Sequence, residues 1–158
     1  MRILVFSDSH GHKRAMEDAV LEYKPDIILH LGDYSSDCAH LRDLFPELEV
    51  RGVRGNCDMC GNEPLMDEFM LGGKRFFMTH GHFYKVKLGL DAIINNALAR
   101  GADVLLFGHT HVPVFKNVSG MLAINPGAAA HFSGTYAVLD IAEGDIHVQM
   151  IGTTIDTK

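Results

Sequence analysis

The sequence predicts an α/β fold of two stacked sheets with helices on the outside, and three features carry that expectation. The first half alternates short apolar runs with helical patterns. The second half runs strand after strand. No linker, internal repeat or low-complexity tract interrupts the chain, so all of it belongs to one packing problem.

Ile3 to Phe6 reads as a short buried strand. In Lys13 to Tyr23, the residues Met16, Ala19, Val20 and Tyr23 fall on one helical face, and Pro25 marks the end of that helix. Ile27 to Leu31 is a second buried strand. Ser35 or Ser36 is placed to cap a helix running through Phe45, with Leu41, Leu44 and Phe45 turned inward. Glu49 to Val53 makes a third strand. Strand, helix, strand, helix, strand at this spacing implies a parallel sheet covered by helices. A hairpin follows, Leu65 to Leu71 and Lys74 to Thr79 around Gly72-Gly73. Leu90 to Leu98 is helical, with Gly101 as its C-terminal cap. Asp103 to Phe107 is another buried strand. Val112 to Asn117, Met121 to Asn125, Thr135 to Ile141 and Ile146 to Ile151 complete the set, with Ser119-Gly120 and Glu143-Gly144-Asp145 as turns.

A length of 158 residues and a hydrophobic share of 47% fit one soluble globular domain spanning residues 1–158. No apolar run approaches the ~20 residues that span a bilayer, so no membrane partner is expected. Met1 to Phe6 is too short for a signal peptide, which makes the cytoplasm the expected location. The net charge of −6 argues against a long nucleic acid as partner. The basic groupings are weak (Arg51 with Arg54, Lys74 with Arg75, Lys85 with Lys87) and read as solvated surface. Cys38, Cys57 and Cys60 are an odd number, so a disulfide framework is not expected. Cys57-Asp58-Met59-Cys60 matches C-x-x-C, which alone is a weak redox or zinc signal.

Chemistry concentrates in five polar clusters, each where an apolar run ends: Asp8-Ser9-His10, Gly32-Asp33, Gly55-Asn56-Cys57-Asp58, Thr79-His80-Gly81-His82 and Gly108-His109-Thr110-His111. Asp and His offer anionic oxygen and imidazole nitrogen to a divalent metal. A carboxylate such as Asp33 has two oxygens and can bridge two cations. Taken singly, each cluster has a plain structural reading. Asp33 could cap the following helix, Gly55-Asn56 is a common turn, and a lone His is usually surface or satisfied core. Their joint occurrence, always after a strand, shifts the balance, because such loops gather at one sheet edge.

That order of motifs (D-x-H, G-D, G-N-C-D, a later H, then G-H-x-H) resembles the calcineurin-like metallophosphoesterase superfamily, and the short length resembles its YfcE-like small phosphodiesterase subgroup. The resemblance runs from Asp8 to His111 and on to the Asn125-Pro126-Gly127 turn. It implies a four-layer α/β/β/α sandwich and two divalent metal ions, Mn first, with Fe, Zn or Ni as alternatives. By the same resemblance Asp8, His10, Asp33 and His111 would hold one metal. Asp33 would bridge to the second, completed by Asn56, His80 and His109. His82 would stand close to the substrate phosphate. His12, His30, His40, His131 and His147 have no motif support and read as structural or surface.

Two cations about 3.5–4 Å apart lower the pKa of a bridging water, so a metal-bridging hydroxide can attack a phosphodiester of a small substrate. The same charges offset those developing on the phosphate oxygens. The family's larger members place a His after the Asn, paired with an acidic residue, as proton donor to the leaving alcohol. Here Cys57 stands there, beside Asp58, and a thiol near pKa ~8.5 is a less suitable acid. After Gly127 the chain carries Ala128-Ala129-Ala130-His131 where the subgroup has Ser and Arg, which weakens any phosphate contact by that loop. The alternative is a catalytically weak protein-interaction scaffold on the same fold, as in the retromer subunit that shares it. The oligomeric state, a homo-oligomer included, is left open.

Overall fold

The computed structural model describes residues 1–130 and 134–152. Its elements run β1 (Arg2–Phe6), α1 (Lys13–Tyr23), β2 (Ile27–His30), α2 (Ser36–Leu44), β3 (Glu49–Gly52), β4 (Met66–Leu71) and β5 (Lys74–Thr79). Then come α3 (Asp91–Ala99), β6 (Val104–Leu106), β7 (Val114–Val118), β8 (Met121–Asn125), β9 (Tyr136–Ala142) and β10 (Asp145–Ile151). They form two mixed five-stranded sheets, ordered β10-β9-β1-β2-β3 and β4-β5-β6-β8-β7. As the strand–helix alternation predicts, β1, β2 and β3 are parallel. In the second sheet β5, β6 and β8 are parallel, and β4 and β7 add antiparallel edges.

Period-2 alternation along the central strands builds the layers. Ile3 and Val5 of β1 face Phe76, Met78, Val104 and Leu106 of the other sheet, and this inter-sheet core is continuous. Leu4 and Phe6, one residue out of phase, face Met16, Ala19 and Val20 of α1 and Cys38 and Leu41 of α2. On the far side Phe77 and Leu105 pack against Ile93 and Ala97 of α3. The order is therefore helices, sheet, sheet, helix, the four-layer sandwich. Strands buried on both faces read as continuous apolar runs for this reason.

The local reading holds at α1, and at Gly101, which takes φ +70° just beyond α3 and donates its N–H to the Leu98 carbonyl. Gly72 and Gly73 both have positive φ, as the two-residue hairpin turn between β4 and β5 requires. It fails elsewhere for identifiable reasons. Neither Ser35 nor Ser36 caps α2 through its side chain; Ser35 already has helical φ and ψ and is held instead by its backbone N–H. Leu44, read as inward, is 48% exposed, because α2 stops there and Phe45 alone turns back to the core. β7 begins at Val114 and not Val112, since Pro113 has no N–H to give a ladder and the Val112 N–H is taken by Thr110 Oγ1. The 3-10 turn His82–Tyr84 was not foreseen. Among the described residues no helix is long and apolar enough to cross a membrane.

Candidate metal centre

All five polar clusters follow the C-terminal ends of parallel strands: β1, β2 and β3 in one sheet, β5 and β6 in the other. With the sheets stacked, the loops meet over one edge. Asp8 and Asp33 are buried, and so is His80. One oxygen or nitrogen from each of Asp8, His10, Asp33 and His111 lies within 4.8 Å of the others, and the same holds for Asp33, His80 and His109. Asp33 belongs to both groups. Asn56 joins the second, its Oδ1 3.1 Å from His80 Nε2.

The backbone carries strain to bring this about. Asp8, His10, Asp33, His109 and His111 all have φ between +47° and +68°. The left-handed region is uncommon for non-glycine residues and costs on the order of 1–3 kcal/mol each, and such residues cluster at functional sites.

The electrostatics are dominated by converging acceptor atoms. His80 Nδ1 lies 2.8 Å from the Leu31 carbonyl and donates to it, which leaves Nε2 as a lone pair when the ring is neutral. That Nε2 faces His109 Nδ1 at 3.2 Å, Asp33 Oδ2 at 3.4 Å and Asp8 Oδ1 at 3.9 Å. Asp8 Oδ1 and His10 Nε2 are buried without a hydrogen-bond partner, although His111 Nε2 stands 3.1 Å from that oxygen. Converging acceptors with few donors fit a pair of divalent cations well. Burial alone would push Asp33 up, but His80 and the Cys57 N–H hold it well below the usual carboxylate range. Burial likewise opposes charge on His80, and Asp33 and Asp8 overcome it to raise that imidazole. His109, pressed by burial and by His80 and Lys87, falls to about 4.

Neighbouring residues hold these groups in place. Asp8 Oδ2 accepts from Ser7 Oγ at 2.6 Å and from the His109 N–H at 3.1 Å, tying the two sheets together. Buried Asn125 donates to the Gly108 carbonyl and to Thr110 Oγ1, and so supports the His109–His111 loop from below. Ser9 Oγ donates to Asp37 Oδ2 at 2.6 Å and lies 2.8 Å from His30 Nε2, while His30 Nδ1 accepts the Gly32 N–H. This buried network joins the Asp8–His10 loop to the Gly32-Asp33 loop. The sequence signalled Ser9 only by its place in the first cluster. His30 and Asp37, at a strand end and in a helix, carry no motif.

The other predicted residues are placed as follows. His82 opens the 3-10 turn, its ring 5.4 Å from that of His80 and its buried Nδ1 without a partner. Burial and His80 lower its pKa. Cys57 is exposed at the rim, Sγ 3.6 Å from Asn56 Nδ2. Asp58 is buried, with Oδ1 accepting the Ser35 N–H and Oδ2 the Gly55 N–H, both at 2.7 Å. Ala128, Ala129 and Ala130 are buried, and the Ala129 N–H bonds to the Ser7 carbonyl. His40 pairs with Glu17, and His12 lies against the Ser9 carbonyl. His147 is exposed, and His131 lies outside the described residues.

Residues 1–144 match the family model of the calcineurin-like phosphoesterase superfamily domain. The chain belongs to that superfamily. It is 35% identical over 133 residues to the probable metallophosphoesterase YsnB of Bacillus subtilis, covering 81% of this chain and 75% of that one. It is 28% identical over 167 residues to the phosphodiesterase MJ0936 of Methanocaldococcus jannaschii, covering 89% and 93%. A solved structure of a predicted phosphoesterase from Streptococcus pneumoniae superposes with a TM-score of 0.77 at 27% identity, over 94% of this chain and 87% of that one. Membership makes the chain a metal-dependent phosphoesterase.

Proposed function

We propose that this phosphoesterase is a two-metal phosphodiesterase acting on small phosphodiesters. One observation carries the reading: the Asp33 carboxylate is common to both groups of candidate ligands, the arrangement a bridged pair needs. In this reading Asp8, His10, Asp33 and His111 hold one cation, and Asp33, Asn56, His80 and His109 the other, with Mn²⁺ the metal to test first. When bound, such a pair supplies an activated water and neutralises charge on the phosphate.

The chain's own residues do the rest. The Leu31 carbonyl fixes the His80 tautomer so that Nε2 points into the site. His82, with an unpartnered Nδ1 beside the ligands, is placed to meet a phosphate oxygen. Asp58 serves as a positioning residue: its two oxygens tie the loop after Asp33 to the loop before Asn56. Cys57, exposed and next to Asn56, is the group this reading sets to face a departing alcohol.

The test is metal content together with turnover of bis(p-nitrophenyl) phosphate. Mn²⁺-loaded protein should hydrolyse it, and Asp33→Asn should lose at least about 100-fold in rate along with metal at both positions. Protein that binds no metal and stays inert in added Mn²⁺ would sink the reading and favour the interaction scaffold.

A further inference from the structure

A cavity of about 610 Å³ opens beside the metal centre, within the ~300–1,000 Å³ range of small-molecule sites. Two of its walls belong to the centre itself: the candidate ligand His10 and Cys57, the residue after candidate ligand Asn56. The others come from Tyr34, the start of α2 and the loop from Cys57 to Glu63. Both cysteines of the C-x-x-C motif therefore find a place as walls of this cavity.

We propose that the cavity takes the departing alcohol arm of the phosphodiester and selects a flat, uncharged alcohol, aryl or nucleoside, stacked on Tyr34. This rests on the two-metal phosphodiesterase reading. In that reading a phosphate held between His10 and Asn56 lies beside Cys57, where the cavity begins and can receive one ester arm.

Charge decides what that arm can be. Among the described residues the one Arg or Lys in the lining, Arg42, spends four of its five N–H donors within the protein. Its Nη1 and Nη2 bond the Glu63 carboxylate at 2.5 and 3.2 Å, and its Nε and Nη2 bond the Val50 carbonyl at 3.1 and 2.9 Å. Against Arg42 stand Glu63 and Asp58, so the lining carries no spare positive charge outside the metal ligands. A second phosphate or a carboxylate on the arm would find no free Arg or Lys and would meet net negative side-chain charge.

Shape and surface decide the rest. Tyr34 is 43% exposed and sits edge-on to the His10 ring at 5.3 Å. Its φ of +73° is an outlier for an aromatic residue, and the backbone is held there by the ligand loop through Asp33 and by the Asp37 N–H on the Tyr34 carbonyl. Met59, 90% exposed, offers a second soft apolar surface in the same lining. An exposed ring on a constrained backbone beside the candidate metal centre is suited to stack an aromatic group.

Two p-nitrophenyl substrates locate the arm. Bis(p-nitrophenyl) phosphate and methyl p-nitrophenyl phosphate share the leaving group and differ in the retained one. Tyr34→Ala should raise KM about five- to tenfold on both, with kcat within about twofold. A change confined to the bis-aryl ester would put the retained arm in the cavity and overturn the proposal, as would no change on either. A second variant needs neither metal nor turnover. The chain has no tryptophan, so Tyr34→Trp places a lone reporter at the cavity. In EDTA its fluorescence should be saturably quenched by adenosine, with adenosine 5′-monophosphate at least about fivefold weaker. Equal or tighter binding of the monophosphate, or no response to either, overturns the selectivity. Selective quenching in a protein that turns over no diester would keep the cavity's preference and discard the phosphodiesterase reading instead.

Discussion

In the proposed reading, Cys57 is the residue at which the centre would depart from a complete acid–base apparatus. Burial and the carboxylates of Asp33, Asp58 and Asp8 all push its thiol pKa up, and a thiol is in any case an ordinarily weaker acid than an imidazolium. Substrates with good leaving groups do not need that proton. Cys57→His should therefore raise kcat on phenyl esters by about tenfold or more while leaving p-nitrophenyl esters nearly unchanged. A leaving-group series measures this as a shallower dependence on alcohol pKa, and parallel curves for the two proteins would show that protonation is not limiting. Cys38 is the opposite case. Sealed between α2 and the sheet, its thiol is pushed up to about 12 from an ordinary value of 9.0, burial first and the nearby Glu63 second. The neutral thiol is favoured in the fold, so this contribution is complete below pH 9 and is lost as pH rises toward about 12. At pH 8 a thiol reagent should find Cys57 and Cys60 in the native protein and Cys38 only after unfolding. The melting temperature should decline above pH 9, and Cys38→Ala should flatten that decline.

At the scale of elements, the centre depends on loops that approach more closely than side chains permit. A Cβ on Gly55 would collide with Asp33 Oδ1, and one on Gly108 would collide with Ser7 Oγ and sit 2.9 Å from Asp8 Oδ2. Neither glycine needs a positive φ; each is required by proximity. Gly55→Ala should cost about 1–3 kcal/mol of stability through overpacking. It should also weaken metal binding at least about tenfold, because the displaced atom is the shared carboxylate. Calorimetric metal titration beside a denaturant melt checks both, and unchanged metal affinity would mean the loops yield without moving Asp33. Most of the strands leading into these loops were legible as short apolar runs, β1, β2 and β6 above all, whereas β3 (Glu49-Val50-Arg51-Gly52) was legible by its place in the strand–helix alternation. The 3-10 turn carrying His82 was not, since three residues have no period to read. Leu44 and the two serines failed for a related reason: the end of α2 and its capping are decided by what packs against the helix.

For the whole molecule, the proposed metal centre would couple stability to metal occupancy. Loops from both sheets converge in acceptors, among them the orphaned Asp8 Oδ1 and His10 Nε2, and a cation bound there stabilises only the folded arrangement. Mn²⁺ at about 100 times its dissociation constant contributes about 2.7 kcal/mol per site. For a chain of this size that raises the melting temperature by about 5–10 °C for one site. The increment should shrink on acidification, since the imidazoles and carboxylates must lose their protons to bind. Thermal melts in EDTA and in Mn²⁺ at pH 6 and pH 8 measure it, and an identical curve in all four conditions would rule out a folded-state metal site.

Local chemistry determined most of the elements, the α/β class and the pool of candidate ligands. Apolar runs, glycine turns and Asp/His spacing act within a few residues and are written in order along the chain. Tertiary structure decided how those residues combine. Stacking two sheets across the core of Ile3, Val5, Phe76 and Val104 brought Asp8 within 3.1 Å of the His109 backbone, 101 residues away. It also turned Asp58 into a tie between loops and recruited His30 and Asp37, which no motif marks. The cavity beside Tyr34 is likewise a product of packing, and its lack of free positive charge follows from Arg42 meeting Glu63 across 21 residues. Such pairings depend on distance in space, which the order of residues constrains only through the fold.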